Sequence, residues 1–301
     1  MFTLASLCLS TSAVAQGHSL RVFACEPEWA ALTRALAPQA QVSSATHARQ
    51  DPHHIEARPA LIASLRRAHL AVCTGASLEA GWLPMLQQRA GNGAVRDGQP
   101  GMFYAAQHVT LTDQREQVGW GEGDVHPEGN PHFHLDPDRM AQVARALSAR
   151  LAHIDPAQAA AYEARHTAWQ AEWAARTARL RQRAAPLAGQ GVVAQHSTFA
   201  YLWGWLGMRQ VADMEPKPGV PPTPSHLQAV LRQTRAAPPI AVVHALYQEP
   251  QPARWLVQQL GNEHTALLAL PSTVDDTGPA ATLTGWLDTL VDSLLRASPR
   301  P

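Results

Sequence analysis

Short apolar runs alternate along most of this chain with longer stretches whose apolar positions recur at helical spacing. Ser19–Cys25 reads as a strand, Trp29–Leu36 as a helix and Gln41–Ser44 as a second short strand. A loop over Gln50–Pro59 precedes a helix at Ala60–Ala68 and a strand at His69–Cys73. Residues 77–100 read as helix and then as glycine-rich turns, and Val109–Thr112 as a further strand. Alternation of this kind predicts β-α-β units with a parallel sheet, whose ligand sites lie at the carboxyl ends of the strands.

From Asp113 to Gly129 apolar content falls and Gly, Glu, Asp and Gln take over, the composition of a mobile loop. Asp136-Pro137 and Asp155-Pro156 each place an N-cap before a proline at the first helical position. The second signal opens a helix running to about residue 183, with Tyr162, Trp169, Trp173 and Leu180 along one stripe. The stripe lasts too few heptads for a coiled coil and reads as a rigid spine. Beyond it the alternation resumes. Gly191–His196 is a strand, a helical stretch carries Tyr201, Trp203 and Trp205, and Pro216–Pro224 excludes regular structure. Helices at Ser225–Arg235, Pro252–Gly261 and Ala280–Leu295 then enclose strands at Ile240–Ala245 and Thr265–Leu270. The expected fold is α/β: an N-terminal lobe over residues 16–152, a linking helix over 153–183 and a C-terminal lobe over 184–301, each lobe with a parallel sheet.

Composition narrows the function. Lys plus Arg and Asp plus Glu both total 24 among 301 residues, which argues against nucleic acid as a partner. Residues 1–15 carry a short apolar core and end in Ala13-Val14-Ala15, the small-x-small pattern of a signal peptidase site, without a basic flank. The expectation is a secreted, periplasmic chain with no membrane span in its mature form, acting as a monomer. Removal of Cys8 with the leader leaves Cys25 and Cys73, each in a strand-like run. An oxidising compartment permits a disulfide between them; two buried free thiols are the alternative.

Fifteen histidines are the unusual feature. His53, His132 and His196 each lie in a loop or at a strand end beside a turn or helix-start signal, unlike His69 at a strand start or His166 within the long helix. Three imidazoles leave the fourth corner of a tetrahedron for a carboxylate or water, so these three are candidate ligands of one metal ion.

The residues around them carry a family resemblance. Asp51-Pro52-His53-x-x-Glu56-x-Arg58-Pro59, Asn130-Pro131-His132-x-His134-Leu135-Asp136-Pro137 and His196-Ser-Thr-Phe-Ala-Tyr201 resemble the three ligand motifs of the cluster A-I periplasmic solute-binding proteins of zinc and manganese ABC transporters. Pro224-Ser225 and Glu249-Pro250-Gln251 match in order. The resemblance implies two lobes with the metal in the cleft between them, ligands at His53, His132 and His196, and an ABC permease with its ATPase as partners. Many members take a fourth ligand from an aspartate after the last strand, where this chain has Pro271. Asp275 is the nearest substitute. Asp276, a water, His126 or His134 are the alternatives. Zn(II) is expected over Mn(II), which prefers more oxygen ligands. Two rivals are a zinc hydrolase, which lacks a His-Glu-x-x-His or any other general base at a recognisable spacing, and an adhesin or structural metalloprotein of the same fold.

Overall fold

Leu70–Cys73 and Ala241–Ala245 are buried at every position, as strands covered on both faces must be. Each is an inner strand of its own four-stranded parallel sheet in the computed structural model, which describes residues 19–115 and 125–298. The expected leader lies outside the described residues, as does the middle of the acidic loop, residues 116–124. In chain order the elements of the first half are β1 (Arg21–Ala24), α1 (Pro27–Leu36), β2 (Gln41–Ser44), α2 (Pro59–Arg67), β3 (Leu70–Cys73), α3 (Leu83–Ala90) and β4 (Met102–Tyr104). Two long helices follow, α4 (Pro137–Ile154) and α5 (Ala159–Arg183). The second half adds β5 (Gly191–Ala194), α6 (Ala200–Leu206), β6 (Arg209–Asp213), α7 (Pro224–Arg235), β7 (Ala241–Ala245), α8 (Gln251–Leu260), β8 (Ala266–Leu270) and α9 (Leu283–Ala297).

The sheets share one strand order, β2-β1-β3-β4 and β6-β5-β7-β8, with every pairing parallel. In both, the order reverses beside the first strand, and a crevice opens at such a switch point. The chain leaves β5 at that point directly into His196.

Two expectations about strands need correction. Val109–Thr112 is not a strand; the first sheet's edge is Met102–Tyr104. Gly101 explains the placement, because a Cβ there would stand 2.4 Å from the Ala94 carbonyl and 2.8 Å from that of His69, so only glycine lets β4 lie this close. Thr112 instead accepts from the Asn130 amide at 2.8 Å and donates its own amide to the Tyr201 hydroxyl at 2.9 Å. The second correction is an addition. Arg209–Asp213 is a strand, half-exposed along most of its length, and its sequence alternates too little to announce itself.

Helix α5 has 25 residues, about 37 Å at the standard rise. Its Trp173 indole donates to the Pro137 carbonyl at the start of α4 at 2.9 Å, and Arg176 and Arg183 pair with Asp288 and Asp292 on α9. The apolar core is continuous across the molecule, running from Trp29 through Phe133 and Tyr162 to Trp286 and Leu294. A shared core of this kind resists wide hinge opening, since separating the halves would expose it to water.

Cys25 and Cys73, at the ends of neighbouring strands β1 and β3, form a disulfide with a Cα–Cα distance of 4.8 Å. Glu79 lies beside it, but bridged sulfurs have no thiolate to offer a metal. Closing a span of 48 residues stabilises the fold by about 2–4 kcal/mol in the loop-entropy account. Replacing both cysteines with serine is therefore expected to lower the thermal midpoint while leaving zinc stoichiometry unchanged. Thermal unfolding followed by metal titration of the refolded variant checks both halves.

Candidate metal centre

His53 owes its position to its own loop. The Asp51 carboxylate accepts from the His53 amide at 3.0 Å and from its ring Nδ1 at 2.7 Å, a turn closed by the side chain two residues back. Trp82 pins the loop by donating its indole N–H to the Pro52 carbonyl at 2.9 Å. Burial raises the Asp51 carboxyl, but its bonds to His53 outweigh that and hold it below its ordinary range.

His132 follows Gly129-Asn130-Pro131, and the Asn130 side chain organises the turn. Its oxygen accepts from the His132 amide at 2.9 Å, while its amide donates to the Ser197 carbonyl in the second half at 3.0 Å. His132 is 2 % exposed. Burial, together with His196, His53, His134 and His126 around it, holds its imidazole well below the ordinary titration range. A neutral imidazole is the form a metal needs.

His196 sits one residue past Gln195 at the end of β5, with φ at +66°. The left-handed region is uncommon for a residue with a side chain, and neighbours fix it here. The Asp213 carboxylate accepts from the His196 amide at 3.0 Å, and Glu215 bonds to Nδ1 at 2.9 Å.

These three segments bring His53, His132 and His196 together, one ligand atom from each lying within 4.8 Å of the others. Their ring centres are 5.5–5.7 Å apart. With Nδ1 of His53 and of His196 committed to carboxylates, Nε2 is the atom each can give a metal. Nε2 of His53 and of His132 is buried without a hydrogen-bond partner, an arrangement that costs free energy unless a ligand fills it. Carboxylates behind metal-binding imidazoles fix the tautomer and raise ligand basicity, the function Asp51 and Glu215 serve. Two sheets thus supply one cluster, and a cavity of about 520 Å³ lined by Asp51, His54, Glu215, Tyr247 and Glu249 opens onto it.

Asp275, expected as the fourth ligand, does not join the group. The loop after β8 folds back through a bond from the Asp275 amide to the Ala280 carbonyl at 2.9 Å. This turns its carboxylate to the Asp276 amide at 2.8 Å and toward Arg49 at 3.9 Å. His134 is committed as well. Its Nε2 bonds to the Ser272 carbonyl at 2.8 Å, Nδ1 lies 3.4 Å from Glu28, and the ring stacks on Trp286. Glu28 also accepts from Thr273, so His134 and Glu28 tie the first half to the segment after β8.

Glu215 and Asp213 were not legible as site residues. Both precede the proline-rich connection with no helical or strand period to give them a facing. The Asp-x-Glu pair Asp213-x-Glu215, just ahead of the proline-rich connection, is the one signal that could have marked them.

The family model of ZnuA, described as "Zinc-uptake complex component A periplasmic", matches residues 22–297. A crystal structure of ZnuA superposes with a TM-score of 0.77 at 19% identity, covering 94% of this chain and 100% of the other. The periplasmic zinc binding protein TroA from Treponema pallidum gives 0.75 at 16% identity, with coverages of 94% and 100%. A mutant of the laminin-binding adhesin Lmb from Streptococcus agalactiae gives 0.74 at 20%, with 93% and 100%. No curated protein sequence matches the chain. On the family match over nearly its whole length, this chain belongs to the ZnuA family of periplasmic zinc-uptake components.

Proposed function

We propose that the protein captures Zn(II) outside the cytoplasmic membrane through His53, His132 and His196 and delivers it to an ABC permease powered by its ATPase. The observation that carries this reading is the convergence of three buried imidazoles from both halves of the molecule, two of them oriented by carboxylates, at the head of an open cavity. An all-nitrogen donor set favours Zn(II) over Mn(II). Family members are solute-binding proteins, and Glu249, distant in sequence from the histidines, accepts from the Gln251 amide at 3.2 Å at the start of α8. No helix among the described residues is long and apolar enough to cross a membrane. The lobes 16–152 and 184–301 act in this reading as a monomeric clamp around α5, and residues 1–15 as the leader that sends it to the periplasm.

An adhesin of the same fold would bind metal equally well, so transport is the discriminating readout. Cells lacking the chain are expected to grow poorly and take up little radioactive zinc in chelator-treated medium. The wild-type protein restores uptake and the His53→Ala, His196→Ala double variant does not. Restoration by the double variant, or unimpaired uptake without the chain, contradicts the proposal.

A further inference from the structure

The three histidines leave one tetrahedral position, and neither Asp275 nor His134 is placed to fill it. We propose that His126 is the fourth zinc ligand, completing an all-imidazole shell; the proposal rests on the three-histidine reading above. His126 has its ring centre 5.4 Å from that of His53, as near as His132 and His196 are at 5.6 and 5.7 Å. Zinc–nitrogen bonds of about 2.0–2.1 Å in a tetrahedron put imidazole ring centres about 5 Å apart, so this spacing suits two ligands of one ion. His54 is as close in sequence to His53 but stands 6.3 Å away by ring centre and is exposed.

A frame on both sides of the loop places His126. The Arg115 amide donates to the Pro127 carbonyl at 3.1 Å and the Asn130 amide to Thr112 at 2.8 Å, which pairs the two strands of the loop's stem. The Tyr201 hydroxyl, from the second half, accepts from the Thr112 amide and donates to the Asn130 carbonyl, both at 2.9 Å. Gly129, at φ +120°, permits this closeness, since a Cβ there would lie 2.6 Å from both the Leu111 Cβ and the Thr112 carbonyl oxygen. The amide of Gly129 then bonds back to the His126 carbonyl at 3.1 Å, turning residue 126 toward the cleft. His126 borders a cavity of about 370 Å³ with Asn130 and Ser197, on the seam between the halves.

The chemical consequence is specific. A fourth imidazole in place of a carboxylate leaves the bound ion's charge uncompensated within its shell and removes the oxygen donor that Mn(II) favours. Selectivity for zinc over manganese would then reside partly in residue 126.

X-ray absorption on the zinc-loaded full chain, read together with competitive zinc titration, tests the assignment. The expected result is four imidazoles per zinc in the wild type, three in His126→Ala, and affinity lowered more than about tenfold, beyond the least that loss of an outer partner costs. His126→Asp is expected to bind manganese more tightly than the wild type does. The thermal midpoint of the metal-free variants should stay unchanged, which separates ligation from folding. Three imidazoles in the wild type, or equal zinc affinity in His126→Ala, overturns the proposal and leaves the three-histidine reading standing. Undiminished zinc binding by His132→Ala overturns that reading itself.

Discussion

His132→Ala is expected to abolish tight zinc binding while the protein stays folded. The side chain is 2 % exposed and belongs to the metal cluster, and its Nε2 makes no hydrogen bond that alanine would forfeit. Its removal takes away one of three ligands and the link through which the Asn130 turn presents the site. The loss in affinity should exceed about a hundredfold, the upper end of what removing an outer-shell partner costs. His134→Ala is the instructive contrast. That ring bridges Glu28 and the Ser272 carbonyl and stacks on Trp286, so its loss should lower the thermal midpoint of the metal-free protein, where His132→Ala should not. Zinc titration with a competing chelator, paired with thermal unfolding of both metal-free variants, reads the difference. Reversal of the two phenotypes contradicts the assignment of roles.

Zinc affinity is expected to fall by roughly one to two orders of magnitude per pH unit below about pH 6, because protons compete for the same nitrogens. His132 resists this competition, since burial and the surrounding histidines hold it neutral to lower pH than an ordinary imidazole. The same depression has a sign in the metal-free protein. The unfolded chain takes up a proton on this residue near pH 6.5 and the folded one does not, so His132 costs stability as pH falls through that value. Burial works the other way on Glu26 and Glu79, raising both carboxyls, that of Glu79 to about 7, so they cost stability as pH rises from the ordinary carboxylate range toward neutrality. Absolute stability therefore mixes opposing contributions across pH 5–7. The increment that zinc adds to the thermal midpoint isolates the site, because Glu26 and Glu79 are outside the group of His53, His132 and His196 and titrate in both forms. That increment should be large at pH 7.5 and small at pH 5.5. An increment independent of pH would remove histidine ligation from the account.

The alternation of strands and helices was legible because the inner strands are solidly apolar and a helix opens on an Asp-Pro signal, as at Asp136-Pro137. Of the edge strands, Gln41–Ser44 and the one ending at Leu270 were legible, and the other two were not. Arg209–Asp213 has no fully buried residue, and Met102–Tyr104 depends on the close approach at Gly101, a tertiary fact with no local period. The three histidines stood out through their turn contexts, and family resemblance joined segments that spacing alone could not. The resemblance places a fourth ligand at the end of the last strand, where this chain has Pro271; Asp275 was the nearest acid to that position, and the chain turns it toward Arg49. Glu215, which orients His196, arrives from the loop after β6 and only the folded sheet brings it there.

Diffraction from zinc-loaded crystals across the zinc absorption edge locates the bound ion. One anomalous peak is expected in the cleft, about 2.0–2.1 Å from Nε2 of His53, His132 and His196, with Asp51 and Glu215 still bonded to the Nδ1 atoms behind. A tightly bound zinc located elsewhere, or one in the cleft that any of the three imidazoles fails to touch, would contradict ligation by the three histidines.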